Sequence, residues 1–175
     1  MDTNMINEIQ LREELTTEAS RIEEDVLHSA KGHFIAAECW DKIHLYIGIP
    51  ATIFAALSGI SVLSKSDKLS IFAGILALVV GALTAIITFL NPQDRAKEHH
   101  RAGAEYNTLK NQARIFRNIE SRAEHDAPAL TKMVKELDTR RNHLNENSRQ
   151  IPNWAYKKAK IALMNGEADY KADNK

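Results

Sequence analysis

Two uncharged runs separated by five residues constrain this chain more than any other feature. Residues 43–63, IHLYIGIPATIFAALSGISVL, hold no Asp, Glu, Lys or Arg, and neither do residues 69–90, LSIFAGILALVVGALTAIITFL. About 20 apolar residues are needed to cross a hydrocarbon core roughly 30 Å thick, and both runs reach that length. The connector SKSDK, residues 64–68, is short enough to force an antiparallel hairpin. A core helix of a soluble bundle would carry a polar stripe. Here the polar residues are Ser, Thr, Tyr and one His near an end. The fold expected is an all-α membrane protein, a two-span transmembrane helical hairpin with long cytoplasmic helices forming a bundle. Its parts are an N-terminal cytoplasmic helix (1–42), a first span (43–63), an outer loop (64–68), a second span (69–90) and a cytoplasmic helical region (91–175).

Lys and Arg near the span ends set the orientation. The hairpin tip carries Lys65 and Lys68, while Lys31, Lys42, Arg95, Lys97, Arg101 and Lys110 flank the other side. That asymmetry places both termini in the cytoplasm. Trp40 and Tyr46 fall where an aromatic belt would lie. Pro50 falls inside the first span, where it removes one helical N–H. In the second span Ala73, Ala77, Gly81 and Ala85 recur every four residues, with Gly74 and Thr88 beside them. Such a small-xxx-small row lets helix backbones approach closely in lipid, inside the hairpin or between subunits. Gly48, Thr52, Ala55 and Gly59 form a weaker version in the first span. With no charge in either span, any pore would be lined by hydroxyls and backbone or gated by an apolar constriction, and Thr52, Ser58, Thr84 and Thr88 are the lining candidates.

Outside the spans the periodicity is helical throughout. Ile22, Val26, Ser29, His33, Ala36 and Trp40 alternate by three and four, a heptad-like seam on a helix running towards the first span without an intervening Pro. Asn91 and Pro92 punctuate the end of the second span, Asn91 as a possible cap and Pro92 as a first helical residue, with Asp94 in the first turn. This joint hands over to a helix whose seam is Ala102, Tyr106, Leu109, Ala113 and Phe116, ending near residues 125–128. A further helix, about 129–147, presents Leu130, Met133, Val134, Leu137 and Leu144 on one face. The last begins near Pro152 and stops at Asn165-Gly166.

The overall charge is zero, but it is unevenly spread. Residues 1–42 carry 4 Lys/Arg against 10 Asp/Glu, and residues 91–175 carry 17 against 12. Such asymmetry suggests that the two ends meet, or that the basic part faces an anionic surface. A single cysteine, Cys39, excludes an intramolecular disulfide framework and a Cys-based zinc site. The acidic, polar N-terminus does not read as a secretory signal. No Gly-rich phosphate loop, HExxH, GxSxG or Cys pair is present, so neither catalytic nor cofactor-binding residues are expected. His28 and His33 are five apart and His99 and His100 are adjacent; neither spacing puts two imidazoles on one helix face, so no metal is expected. His99 and His100, beside Arg95, Lys97 and Arg101, read as facing solvent or lipid head groups. Lys157, Lys158 and Lys160 form a short cluster without a nucleic-acid fold signature, so no nucleic-acid partner is expected; a solvated face or pairing with the acidic arm is the simpler reading.

The stretches HFIAAECWDKIHLYIGIPATIFAALSGIS, ITFLNPQDRAKEHHRAGAEYNTLKNQARIFRNI and IPNWAYKKAK, with the helical N-terminal arm, resemble SLATT domains, the SMODS- and SLOG-associating two-transmembrane effectors of bacterial conflict systems. The likeness covers most of residues 20–165 and rests on the combination of hairpin, FLNP break and helical tail. The resemblance implies a homo-oligomeric, non-enzymatic effector in the bacterial inner membrane. Once triggered, it would permeabilise that membrane and arrest phage spread by killing or stopping the cell. The trigger would be a nucleotide signal made or sensed by a separately encoded partner, or sensed by the helical tail itself. A membrane-anchored scaffold, or a small ion channel without killing activity, is the alternative.

Overall fold

The computed structural model describes residues 3–62, 67–123 and 125–168. Among them every regular element is helical. Helix α1 covers Thr3–Val62, α2 Asp67–Leu90, α3 Pro92–Asn118, α4 Ala127–Asn147 and α5 Asn153–Met164, with a 3₁₀ turn at Glu120–Arg122. Most of the 64–68 connector, Lys65 included, falls outside the described residues.

The N-terminal arm and the first apolar run form one uninterrupted helix of 60 residues. Pro50 forfeits a backbone hydrogen bond but does not end α1. By contrast, α2 and α3 are separated by a single residue. Asn91 has φ 44°, the left-handed region that Asn enters more readily than most residues. Pro92 behind it disfavours the right-handed helical alternative.

Tertiary contacts divide the chain into two compact units, Ala37–Lys97 and the combination of Met1–Ala36 with Glu98–Lys175. Within the first unit the later half of α1 and α2 are antiparallel. Ser58 Oγ donates to the Ala73 carbonyl at 2.9 Å, and Gly48 lies opposite Ile87. Both helices are long and apolar enough to cross a membrane, yet the most apolar stretch of α1 is 0% buried and that of α2 11%. A soluble core helix would be mostly covered. Here Leu78 and Phe89 stand 77% and 87% exposed.

In the second unit α1 packs on α3 and α4. Ala19, Ile22, Val26 and Ala30 of α1 meet the α3 seam, and Leu130, Val134 and Leu144 of α4 complete the core. All five expected seam residues, Ala102, Tyr106, Leu109, Ala113 and Phe116, are buried. A second cluster sets Ala155 and Ala159 of α5 against Ile35 and Ala36. Small residues permit this approach: a Cβ on Gly32 would sit 3.1 Å from Ile151 Cγ2. The acidic arm does meet the basic tail, through Glu23–Arg117 at 3.0 Å and Asp25–Arg141 at 3.1 Å.

One boundary differs from the periodicity. Helix α3 stops at Asn118, not near 125–128, and α4 starts at Ala127. Asp126 accepts a hydrogen bond from the Ala129 N–H at 3.0 Å, an N-cap with Pro128 in the first turn. The Arg12 guanidinium donates to the carbonyls of Ser121 and Ala123, both at 3.3 Å, and to that of His125. A distant side chain thus satisfies carbonyls that an extended helix would have satisfied itself.

Candidate functional site

The α1 and α3 seams bring two histidines together. His33 lies on the α1 seam, and His99 continues the α3 seam one step before Ala102. The two seams face each other, so the imidazoles meet, with Nδ1 to Nδ1 at 2.9 Å and each residue 1% exposed. At that distance one Nδ1 must donate and the other accept, so the pair shares one proton. Tyr106 stacks on His33, with ring centroids 5.4 Å apart and planes at 21°. The Tyr106 hydroxyl donates to Asn145 Oδ1 at 2.8 Å. Burial, and then the neighbouring His99, lower the His33 pKa from 6.5 to about 4. Burial likewise pushes the Tyr106 phenol up.

His99 therefore does not face solvent or head groups as its basic neighbourhood suggested. The packing of α1 against α3 buries it, while His100, one residue on, is exposed beside Phe34. The seam register was the available signal: 99, 102, 106 and 109 continue the alternation of three and four. Two imidazoles are too few for a closed metal site. Among the described residues no group of three or more His, Cys, Asp or Glu is placed to hold a metal ion.

The residues singled out in the spans separate by face. Of the small-residue row only Ala73 is buried; Ala77, Gly81 and Ala85 are exposed. Steps of four advance about 40° each around a helix, so the row winds away from α1. The line kept towards α1 is Ala73, Leu76, Val80, Leu83 and Ile87, buried or half-buried, at spacings of three and four. Nothing lies within 4 Å of a Cβ built on Gly74 or Gly81.

Thr52, Thr84 and Thr88 are also exposed. Two of these hydroxyls bond their own helix, Thr52 to the Gly48 carbonyl and Thr88 to the Thr84 carbonyl, each at 2.9 Å. Ser58 is 9% exposed and its hydroxyl is committed to Ala73 across the hairpin. It ties the two helices together.

The joint is more elaborate than a cap. The Asn91 side chain donates to Asp94 Oδ2 at 2.6 Å, and its backbone N–H bonds the Ile87 carbonyl at 2.9 Å. Arg95 donates its Nε–H to the Leu90 carbonyl at 2.7 Å and lays its guanidinium 4.9 Å from the centre of the Trp40 ring. One side chain thus satisfies the carbonyl of the last residue of α2 and stacks on a ring of α1. Pro92 is fully buried at this point.

An open groove of about 540 Å³ borders α3 and the end of α4, lined by Glu98, Arg101, Glu105, His143, Asn147 and Arg149 among others. Arg101 is tied to Glu105 at 2.9 Å and Arg149 to Glu98 at 2.7 Å. The groove has no surplus positive charge to offer a phosphate. Comparison of the chain with protein-family models, curated proteins and solved structures finds no match.

Proposed function

We propose that the chain is a two-span protein of the bacterial inner membrane, with both termini cytoplasmic, that assembles with copies of itself and breaches the bilayer when triggered. The observation that carries this reading is the outward apolar surface of the α1–α2 hairpin. Leu78, Phe89, Ile71 and Ile60 stand in the open on helices of membrane length. In water that surface would be costly at about 25 cal/mol per Å² of apolar area, whereas lipid or further hairpins would cover it. The outward row Ala77, Gly81 and Ala85 supports assembly through close helix packing. The resemblance to SLATT domains supplies the biological setting: an anti-phage effector released by a nucleotide signal from a separate synthase or sensor.

In this reading the compact unit of α3, α4, α5 and the start of α1 restrains the hairpins until the trigger arrives. Assembly through the small-residue rows then opens a path lined by Thr52, Thr84, Thr88 and backbone, with little discrimination between ions.

A second reading, a membrane-anchored scaffold, draws on the committed hydroxyls. Thr52, Ser58 and Thr88 each bond a backbone carbonyl, leaving less polarity for a lumen. Membrane potential in cells, followed with a potential-sensitive dye while expression is induced together with the triggering system, separates the two. The effector reading expects depolarisation that Gly81→Ile abolishes. The scaffold reading expects sealed membranes, and loss of function only when the cytoplasmic core is opened by Phe116→Ala.

A further inference from the structure

Helix α5 has two faces of different character. Ala155, Ala159 and Ala162 are buried, the first two against Ile35 and Ala36. On the opposite face Trp154, Ile161 and Met164 are 47%, 60% and 77% exposed. At 100° per residue these three fall within about 80° of arc, a single stripe along the helix. Lys157 lies inside the stripe, and Lys158 and Lys160 lie on its two sides. All three lysines are exposed.

Helix α5 differs from α3 and α4 in carrying lysines with no carboxylate on the same helix. In the same unit Arg117, Arg141, Arg149 and Lys31 each pair with a carboxylate. Helix α5 contains no Asp or Glu, and among the described residues its three lysines form no ion pair. A tryptophan and two long aliphatic side chains edged by lysines, on a helix without a carboxylate, match the chemistry of a bilayer surface. The apolar tips enter the acyl boundary, the indole sits at head-group depth, and the ammonium groups reach lipid phosphates. A second protein copy fits less well. Lysine is depleted in protein interfaces, and three lysines facing their own copies repel.

We propose that the outer face of α5 docks on an anionic lipid surface, with Trp154, Ile161 and Met164 inserted and Lys157, Lys158 and Lys160 on lipid phosphates. This contact is separate from pore formation and needs only the membrane that the hairpin reading invokes.

The test uses the full chain in two single-tryptophan forms, Trp40→Phe to report α5 and Trp154→Phe to report the hairpin. Each is reconstituted in phosphatidylcholine vesicles with or without phosphatidylglycerol, with lipids brominated at shallow or deep positions. The expected result is a blue shift and shallow-bromine quenching of Trp154 that appear with phosphatidylglycerol. Both should fall back in high salt and in the triple variant Lys157→Glu, Lys158→Glu, Lys160→Glu. Unquenched Trp154 emission in both vesicle types overturns the proposal. So does shielding that persists in detergent and grows with protein concentration, which would assign the face to a second copy. Unquenched Trp40 counts against the hairpin reading alone, because Trp154 reports α5 independently of it.

Discussion

The Nδ1 atoms of His33 and His99 lie 2.9 Å apart across the α1–α3 interface, between residues that solvent scarcely reaches. A neutral pair can share one proton there; a second proton would bury a charge. This makes the packing of α1 on α3 sensitive to acid.

The sign follows from the pKa. His33 is held at about 4 in the folded chain against 6.5 when unfolded. The unfolded chain therefore binds more protons between those values. The stabilising contribution is complete above pH 6.5 and is lost as pH falls towards 4, by up to about 1.4 kcal/mol per pH unit. Thermal unfolding of the detergent-solubilised chain should show this slope, and His33→Gln should flatten it relative to wild type. Parallel slopes would remove the pair from the account.

Gly81→Ile should leave the individual chain folded, because a Cβ built there meets nothing within 4 Å and the position is exposed. Its effect should fall on association. Loss of oligomers in mild detergent with unchanged helical circular dichroism is the expected outcome. Oligomers of unchanged size would show that the outward row does not join subunits.

Ser58→Ala removes the hydroxyl that crosses the hairpin to Ala73. A hydrogen bond between membrane helices contributes about 0.6 kcal/mol on average, so a small decrease in unfolding temperature is expected. Ion flux through reconstituted protein should not change, since the hydroxyl faces α2. A changed conductance would return Ser58 to the pore lining.

At the α2–α3 break, Asn91→Gly should be tolerated and Asn91→Val should destabilise by about 1–2 kcal/mol, the cost of the left-handed conformation for a residue with a branched Cβ. Pro92→Ala lifts the restriction on Asn91 and should let α2 run on into α3. On the proposed effector reading, altered toxicity of Pro92→Ala with unchanged expression would mark the break as part of triggering; unchanged toxicity would mark it as a boundary only.

Arg95→Lys keeps the charge but loses the Nε–H bond to Leu90 and much of the stacking on Trp40. Trp40 fluorescence, in a chain carrying Trp154→Phe, should shift on this substitution. An unchanged spectrum would mean that Arg95 does not hold the indole.

What could be read from the order of residues was what is encoded locally. Hydropathy and length set apart the two candidate spans, and Asn91-Pro92 marked the break between α2 and α3. The alternation of three and four named the α3 seam before any packing partner was known. Even so, α3 ended early, because Arg12 caps a turn more than a hundred residues away. Tertiary structure alone decided which faces meet. It paired His33 with His99, turned Ser58 towards Ala73, and left Ala77, Gly81 and Ala85 pointing outward. Periodicity fixes where a side chain stands on its own helix, to within a fraction of a turn. The relative register of two helices depends on packing summed over both, and no single stretch of sequence contains that sum.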